Sequence, residues 1–168
     1  MSNEEVMGSY VEAWNAHDPV RVAGHFAADG VREWHVVQPP MIEGPTRFQG
    51  RADIAAGVTA FMTAVPDMTV EIHTLVETEW GGIGEWTVRA THTGAWDGWS
   101  GQGEQIELPG VSIFHIVDGA LTEERMFFDP DMMARNWVPP LRTMMAVGTK
   151  LWKQGRAIKK ARKAALGR

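Results

Sequence analysis

Cysteine is absent from the 168 residues, which excludes a disulfide framework, a thiolate metal site and a cysteine nucleophile. That absence fits a cytoplasmic protein. No run approaches the roughly 18 apolar residues of a membrane span. The opening MSNEEVMGSY is acidic and lacks the apolar centre of a signal peptide. Tyrosine occurs once, as Tyr10, against eight Trp. Lysine is missing from residues 1–137, which hold seven Arg and all 21 acidic residues, a net charge of -14. Residues 138–168 hold the other nine basic residues and no acid. That asymmetry divides the chain into a body, 1–137, and a basic tail, 138–168.

Two further absences narrow the chemistry. His17, His25, His35, His73, His92 and His115 form no HxH or HxxxH pair, so no metal site is expected. No glycine-rich phosphate loop or nucleotide fingerprint occurs, and Gly81-Gly82 reads as a turn. The expectation is a protein that works without a cofactor.

What is present reads as alternating order. Ser2 and Glu5 have the spacing of a capping box, which opens a helix running to Ala16 with Val6, Tyr10, Ala13 and Trp14 on its inner face. Asp18-Pro19 caps a second helix, predicted to reach about Ala28. A strand follows over Val31–Val37, with Arg32, Trp34 and Val36 on one face and Val31, Glu33, His35 and Val37 on the other. Residues 38–49 carry three prolines and read as an ordered loop or lid.

Gly50 starts a third helix to about Val65, with Phe61 among its apolar residues. Met68–Glu79 alternates, with Val70, Ile72 and Val76 predicted inward. Ile83–Trp96 is a strand with Trp86, Val88, Ala90 and His92 on one face, opposite Glu85, Thr87, Arg89 and Thr91. A glycine-rich loop over 97–103 leads into Ile106–Asp129, where two apolar runs flank the hairpin dipeptide Asp118-Gly119. A short helix is predicted from Pro130 to about Trp137. Three helices then lie against a bent antiparallel sheet, an α+β arrangement that leaves a pocket between them.

Asp129 is the first candidate for a working group. It ends a strand behind Phe127 and Phe128, an expensive place for a charge that is neither used nor paired. Asp before Pro also serves as a helix N-cap, stabilising by about 1 kcal/mol, and the two roles are compatible. His92 is on the apolar face of its strand and is the better-placed histidine. A two-residue loop at Asp118-Gly119 pairs His115 with Thr122, which turns His115 away from Asp129 unless a bulge intervenes. Simple alternation puts Arg89 on the solvent face. Tyr10, Trp14, Trp34 and Trp86 can meet as core or as pocket wall.

VEAWNAHD, FAADGV, FQGRADI, ATHTG and IFHIVDGALTEERMFFD together resemble the SnoaL-like branch of the NTF2-like superfamily, over about residues 4–137. The resemblance implies a conical α+β barrel with a deep pocket, often in homodimers. It implies a polyketide cyclase- or isomerase-like enzyme in which a carboxylate at Asp129 is general acid/base. A histidine, His92 or else His115, assists. The family alignment brings Arg89 nearer the pocket. Tyr10, Trp14, Trp34, Phe61, Trp86 and Phe127 are the candidates to hold an apolar, carbonyl-bearing substrate. The epoxide hydrolases of the superfamily use an Arg-x-Asp pair where this chain has Arg89-Ala90-Thr91, so their second carboxylate is missing. Other relatives only bind, and a ligand- or partner-binding module is the alternative.

The tail falls outside the resemblance. Leu141, Met144, Met145, Leu151, Trp152 and Ile158 lie roughly on one helical face among basic residues. Such a segment suits an anionic membrane surface, its own acidic body or a second subunit. No RNA-binding motif accompanies the charge, so nucleic acid is not the expected partner.

Overall fold

The computed structural model describes residues 1–36, 44–96, 99–130, 132, 145, 148, 149, 152 and 156, with Trp99 described by its backbone alone. Helix α1 spans Asn3–Asn15, and Ser2 and Glu5 form the reciprocal capping box. Val6, Met7, Tyr10, Ala13 and Trp14 are buried, at i, i+1, i+4, i+7 and i+8 on one face of an amphipathic helix. Asp18 accepts a hydrogen bond from the Arg21 amide and caps α2, Pro19–Gly24.

The second helix stops four residues short of Ala28 because the sheet claims the backbone first. Strand β1 runs Phe26–Trp34 and pairs in parallel with the last strand, starting at Phe26 opposite Leu121. The Leu121 amide donates to the His25 carbonyl at 2.8 Å. The sheet is therefore mixed rather than wholly antiparallel. Part of the expected loop is also a strand: β2, Arg47–Gln49, pairs with Val31–Glu33. Residues 38–43 of that expectation, and residue 37 at the end of the predicted strand, lie outside the described residues.

Gly50, at φ +80°, precedes α3, Arg51–Ala64. Strand β3, Thr69–Thr78, pairs with β4, Gly81–His92. The reading of Ile83–Trp96 as one strand is corrected to β4 plus β5, Ala95–Trp96, which pairs with β6, Trp99–Ser100. Two long strands form the middle of the sheet, β7 over Glu104–Val117 and β8 over Ala120–Phe128. They turn at Asp118-Gly119, both at positive φ as a two-residue hairpin loop requires. The strand order is β2-β1-β8-β7-β4-β3, curved and unclosed, with the helices against its inner face.

Two bulges reset the alternation. In β3 the register shifts between Ile72 and Thr74. Val70 and Ile72 stay inward, but Leu75 packs on the core while Val76 is 48% exposed, reversing the expectation for Val76. In β8, Val117 faces Ala120 as expected, but His115 faces Glu123 instead of Thr122. Thr122 is the extra residue. Pro130 and Met132 are helical, and the remainder of that predicted helix lies outside the described residues. No described helix is long and apolar enough to cross a membrane.

Candidate functional site

The Thr122 bulge decides which carboxylate enters the fold. Leu121 is buried, so unbroken alternation would turn residues 123, 125, 127 and 129 inward. One extra residue inverts that parity. Glu124 and Met126 are buried and Phe128 is half-buried, while Phe127 and Asp129 are exposed.

Glu124 is 2% exposed and stands at the wall of a cavity of about 80 Å³. Its Oε2 accepts from the Tyr10 hydroxyl at 2.6 Å and from Arg32 Nε at 3.1 Å. Its Oε1 accepts the Ser112 hydroxyl at 3.0 Å, and Ser112 in turn accepts the Trp86 indole N–H at 3.0 Å. Gly110 makes room for that indole, since a Cβ there would lie 2.4 Å from the Trp86 ring. Arg32, 6% exposed, lays its guanidinium 4.9 Å from the Trp14 ring centroid, and Nη2 sits 3.3 Å from Met126 Sδ. Among the described residues Nη1 makes no hydrogen bond, so the guanidinium keeps donors for a guest.

Burial first, and then the Glu124 carboxylate, push the Tyr10 phenol far above its ordinary range. It stays protonated and can only donate to Glu124. The rest of the wall is apolar, with the aromatic rings of Trp14, Trp34, Phe61, Trp86, Phe114 and Phe128 among aliphatic and methionine side chains. Trp34 and Phe128 meet edge-on at 5.6 Å, and Trp14 and Phe61 at 6.3 Å. Trp34, Phe61, Val70, Ile72 and Phe128 are half-buried, whereas the four polar groups are buried. The cavity thus has one polar pole in an apolar sleeve, an arrangement that orients a ligand by a single oxygen-bearing end.

The residues nominated from sequence divide between the two faces of the sheet. Tyr10, Trp14, Trp34, Phe61 and Trp86 line the cavity. Phe127 does not; it is 39% exposed and stacks on His35 at 5.3 Å. Asp129 follows Phe128 but is exposed and outside the lining, and its carbonyl accepts the Met132 amide at 3.1 Å. Arg89 is on the solvent face, as alternation predicts, paired with Glu71 and with Glu107 at 3.1 Å. His115 shares the outer face, 5.0 Å from the Trp80 ring centroid and 3.2 Å from Arg125 Nη2. The bulge puts it on the same side as Asp129, but that side is the outside.

His92 is inward and fully buried, yet it packs beyond the cavity, with Nδ1 3.7 Å from Glu104. Burial holds its imidazole below the ordinary histidine range, against the opposing pull of Glu104. Below about pH 6.5 the unfolded chain takes up a proton that folded His92 refuses. Protons bound are then more numerous in the unfolded state, so stability drops as pH is lowered from there until the folded group titrates. Denaturant midpoints at pH 7.5 and 5.5 should separate further in the wild type than in His92→Gln. Equal separations would rule out this linkage.

Arg32, Ser112 and Glu124 were not nominated from sequence. Arg32 offered the better signal, since alternation places it beside Trp34 on the buried face of β1. Among the described residues no group of three or more His, Asp or Glu is placed to hold a metal ion.

Solved structures share this architecture. A protein from Jannaschia sp. assigned as a SnoaL-like polyketide cyclase superposes with a TM-score of 0.69 at 16% identity, covering 82% of this chain and 93% of that one. A protein of ketosteroid isomerase-like fold from Catenulispora acidiphila, solved with trimethylamine, gives 0.65 at 17% identity, covering 80% and 94%. A phenazine biosynthesis-related protein from Pseudomonas aeruginosa gives 0.64 at 17% identity, covering 82% and 90%. At these identities the likeness is one of fold. No curated protein matches the chain in sequence. The family comparison reaches further, because the pattern of the SnoaL-like polyketide cyclases matches residues 4–136, the span that builds both the sheet and the cavity. The chain belongs to the SnoaL-like polyketide cyclase family.

Proposed function

We propose that the protein is an enzyme of the cyclase or isomerase type, acting by side-chain acid/base chemistry on an apolar small molecule that carries a carbonyl. The observation that supports this most is the buried Glu124 carboxylate held against Arg32 at the polar pole of an aromatic cavity. Enolisation needs a base for the proton beside a carbonyl and a donor for the oxygen that becomes negative. These two sites on a substrate are neighbours, and so are Glu124 and Arg32. Glu124 Oε1, which takes only the Ser112 hydroxyl among the described residues, accepts the proton as the C–H bond breaks. The electron pair moves to the carbonyl oxygen, which the Arg32 guanidinium stabilises. Return of the proton to another carbon gives isomerisation; attack of the enolate carbon on a second carbonyl carbon closes a ring, and the proton held by Glu124 passes to the alkoxide that forms. Asp129, exposed beyond Phe128, takes no part in this step.

A second reading has its own support. Three protein donors already satisfy Glu124, the arrangement of a structural ion pair, and a cavity built this way binds without turnover. Thermal shift with small aryl ketones and their carbonyl-free counterparts tests both. A ketone at about a hundred times its Kd adds about 2.7 kcal/mol, a Tm rise of about 5–10 °C at this chain length. The counterparts should do clearly less. Product formation from the stabilising ketones separates enzyme from binder, and equal shifts for both series would overturn the polar-pole reading altogether.

A further inference from the structure

We propose that the C-terminal segment, residues 138–168, seats the protein on an anionic lipid surface. The charge in that segment is of one sign: nine basic residues and no acidic one, beside a body of -14. Five of its residues are described, Met145, Gly148, Thr149, Trp152 and Arg156, and all are helical. Their spacing of three, four, seven and eleven from Met145 puts them on one stripe of a helix. The Thr149 hydroxyl donates to the Met145 carbonyl at 3.0 Å, so it is satisfied within the helix. Met145 is 65% exposed and Trp152 is 61% exposed. The Arg156 guanidinium lies 4.5 Å from the Trp152 ring centroid.

Two large exposed apolar side chains in a segment of one charge sign call for a cover. The acidic body is the electrostatic rival, but the exposure of Met145 and Trp152 shows that it does not cover them. An indole with a guanidinium over its face is amphipathic at the scale of a headgroup layer: the ring enters the acyl boundary and the cation remains at the phosphates. Lys159, Lys160, Arg162 and Lys163 follow in sequence within five positions. Each basic residue near an anionic leaflet adds about 1 kcal/mol, or roughly fivefold in partition. The body carries the opposite sign and is repelled by the same surface, so the segment binds and the domain stands off.

Co-sedimentation of the full-length protein tests this with vesicles of phosphatidylcholine alone and with phosphatidylglycerol added at about one third. Binding should require phosphatidylglycerol and fall at least tenfold when salt is raised from about 0.05 to 0.5 M, where screening shortens to a few Å. The fourfold variant K159Q, K160Q, R162Q, K163Q should lose on the order of a hundredfold or more. Trp152→Ser should lose about tenfold by removing the buried indole. Unchanged far-ultraviolet circular dichroism and Tm in both variants show that the body is intact. Absence of binding, equal binding to both vesicle types, or an unaffected fourfold variant would overturn the proposal. So would displacement from vesicles by random-sequence duplex DNA at a lower concentration than vesicle lipid, or variants that change only the oligomeric state.

Discussion

Glu124→Gln is expected to lower turnover by about two to four orders of magnitude, the range a positioned acid/base group contributes. Asp129→Asn should leave it within about threefold, as befits an exposed substitution away from the reacting atoms. Parity is the reason. Glu124 follows the Thr122 bulge on the inner face and meets Tyr10, Arg32 and Ser112 there, whereas Asp129 is exposed after the last inward residue, Phe128. Gln is isosteric and still accepts from Tyr10 or Ser112, but it cannot take a proton from carbon. Comparing kcat with KM for the two variants reads this directly. A large loss in Asp129→Asn with little in Glu124→Gln would return the acid/base role to Asp129. If the protein only binds, Glu124→Gln weakens affinity and there is no turnover to lose.

Arg32→Met should cost about 3–5 kcal/mol, the usual penalty for leaving one partner of a buried ion pair behind. Arg32 and Glu124 are 6% and 2% exposed, so the abandoned carboxylate stays largely desolvated. Tyr10 and Ser112 still donate to the abandoned carboxylate, but neither carries a charge. At this chain length the loss corresponds to a fall in Tm of roughly 6–20 °C. Adding Glu124→Leu should restore most of it, because replacing a whole buried pair by apolar side chains is often neutral or stabilising. The double variant would then be a folded protein with an apolar cavity and no activity. Urea denaturation of the four proteins closes the cycle. A double variant less stable than Arg32→Met would mean that the network organises the fold itself.

The two predictions also separate what local pattern can and cannot supply. The capping box at Ser2, the Asp18 cap, the buried stripe of α1 and the Asp118-Gly119 turn were legible because each is fixed by residues within one turn of one another. The inward row Trp86, Val88, Ala90 and His92 was legible for the same reason, since β4 pairs with β7 without interruption. Arg89 on the solvent face followed from that row. The early end of α2 was not legible, because its cause is Leu121, nearly a hundred residues away.

The amino-acid sequence by itself determined the α+β class and the order of the main elements, which follow from periodicity and capping that neighbours in the chain enforce. The family rested on resemblance of its motifs, and Tyr10, Trp14, Trp34, Phe61 and Trp86 could be read only as core or wall. Tertiary structure alone decided which acid is inside. A bulge is one residue of slack taken up where two strands meet, and nothing in Leu121-Thr122-Glu123 marks Thr122 as the residue that absorbs it. Strand alternation carries that single shift to every later position of β8, so Glu124 turns inward to Arg32 and Asp129 follows on the exposed side.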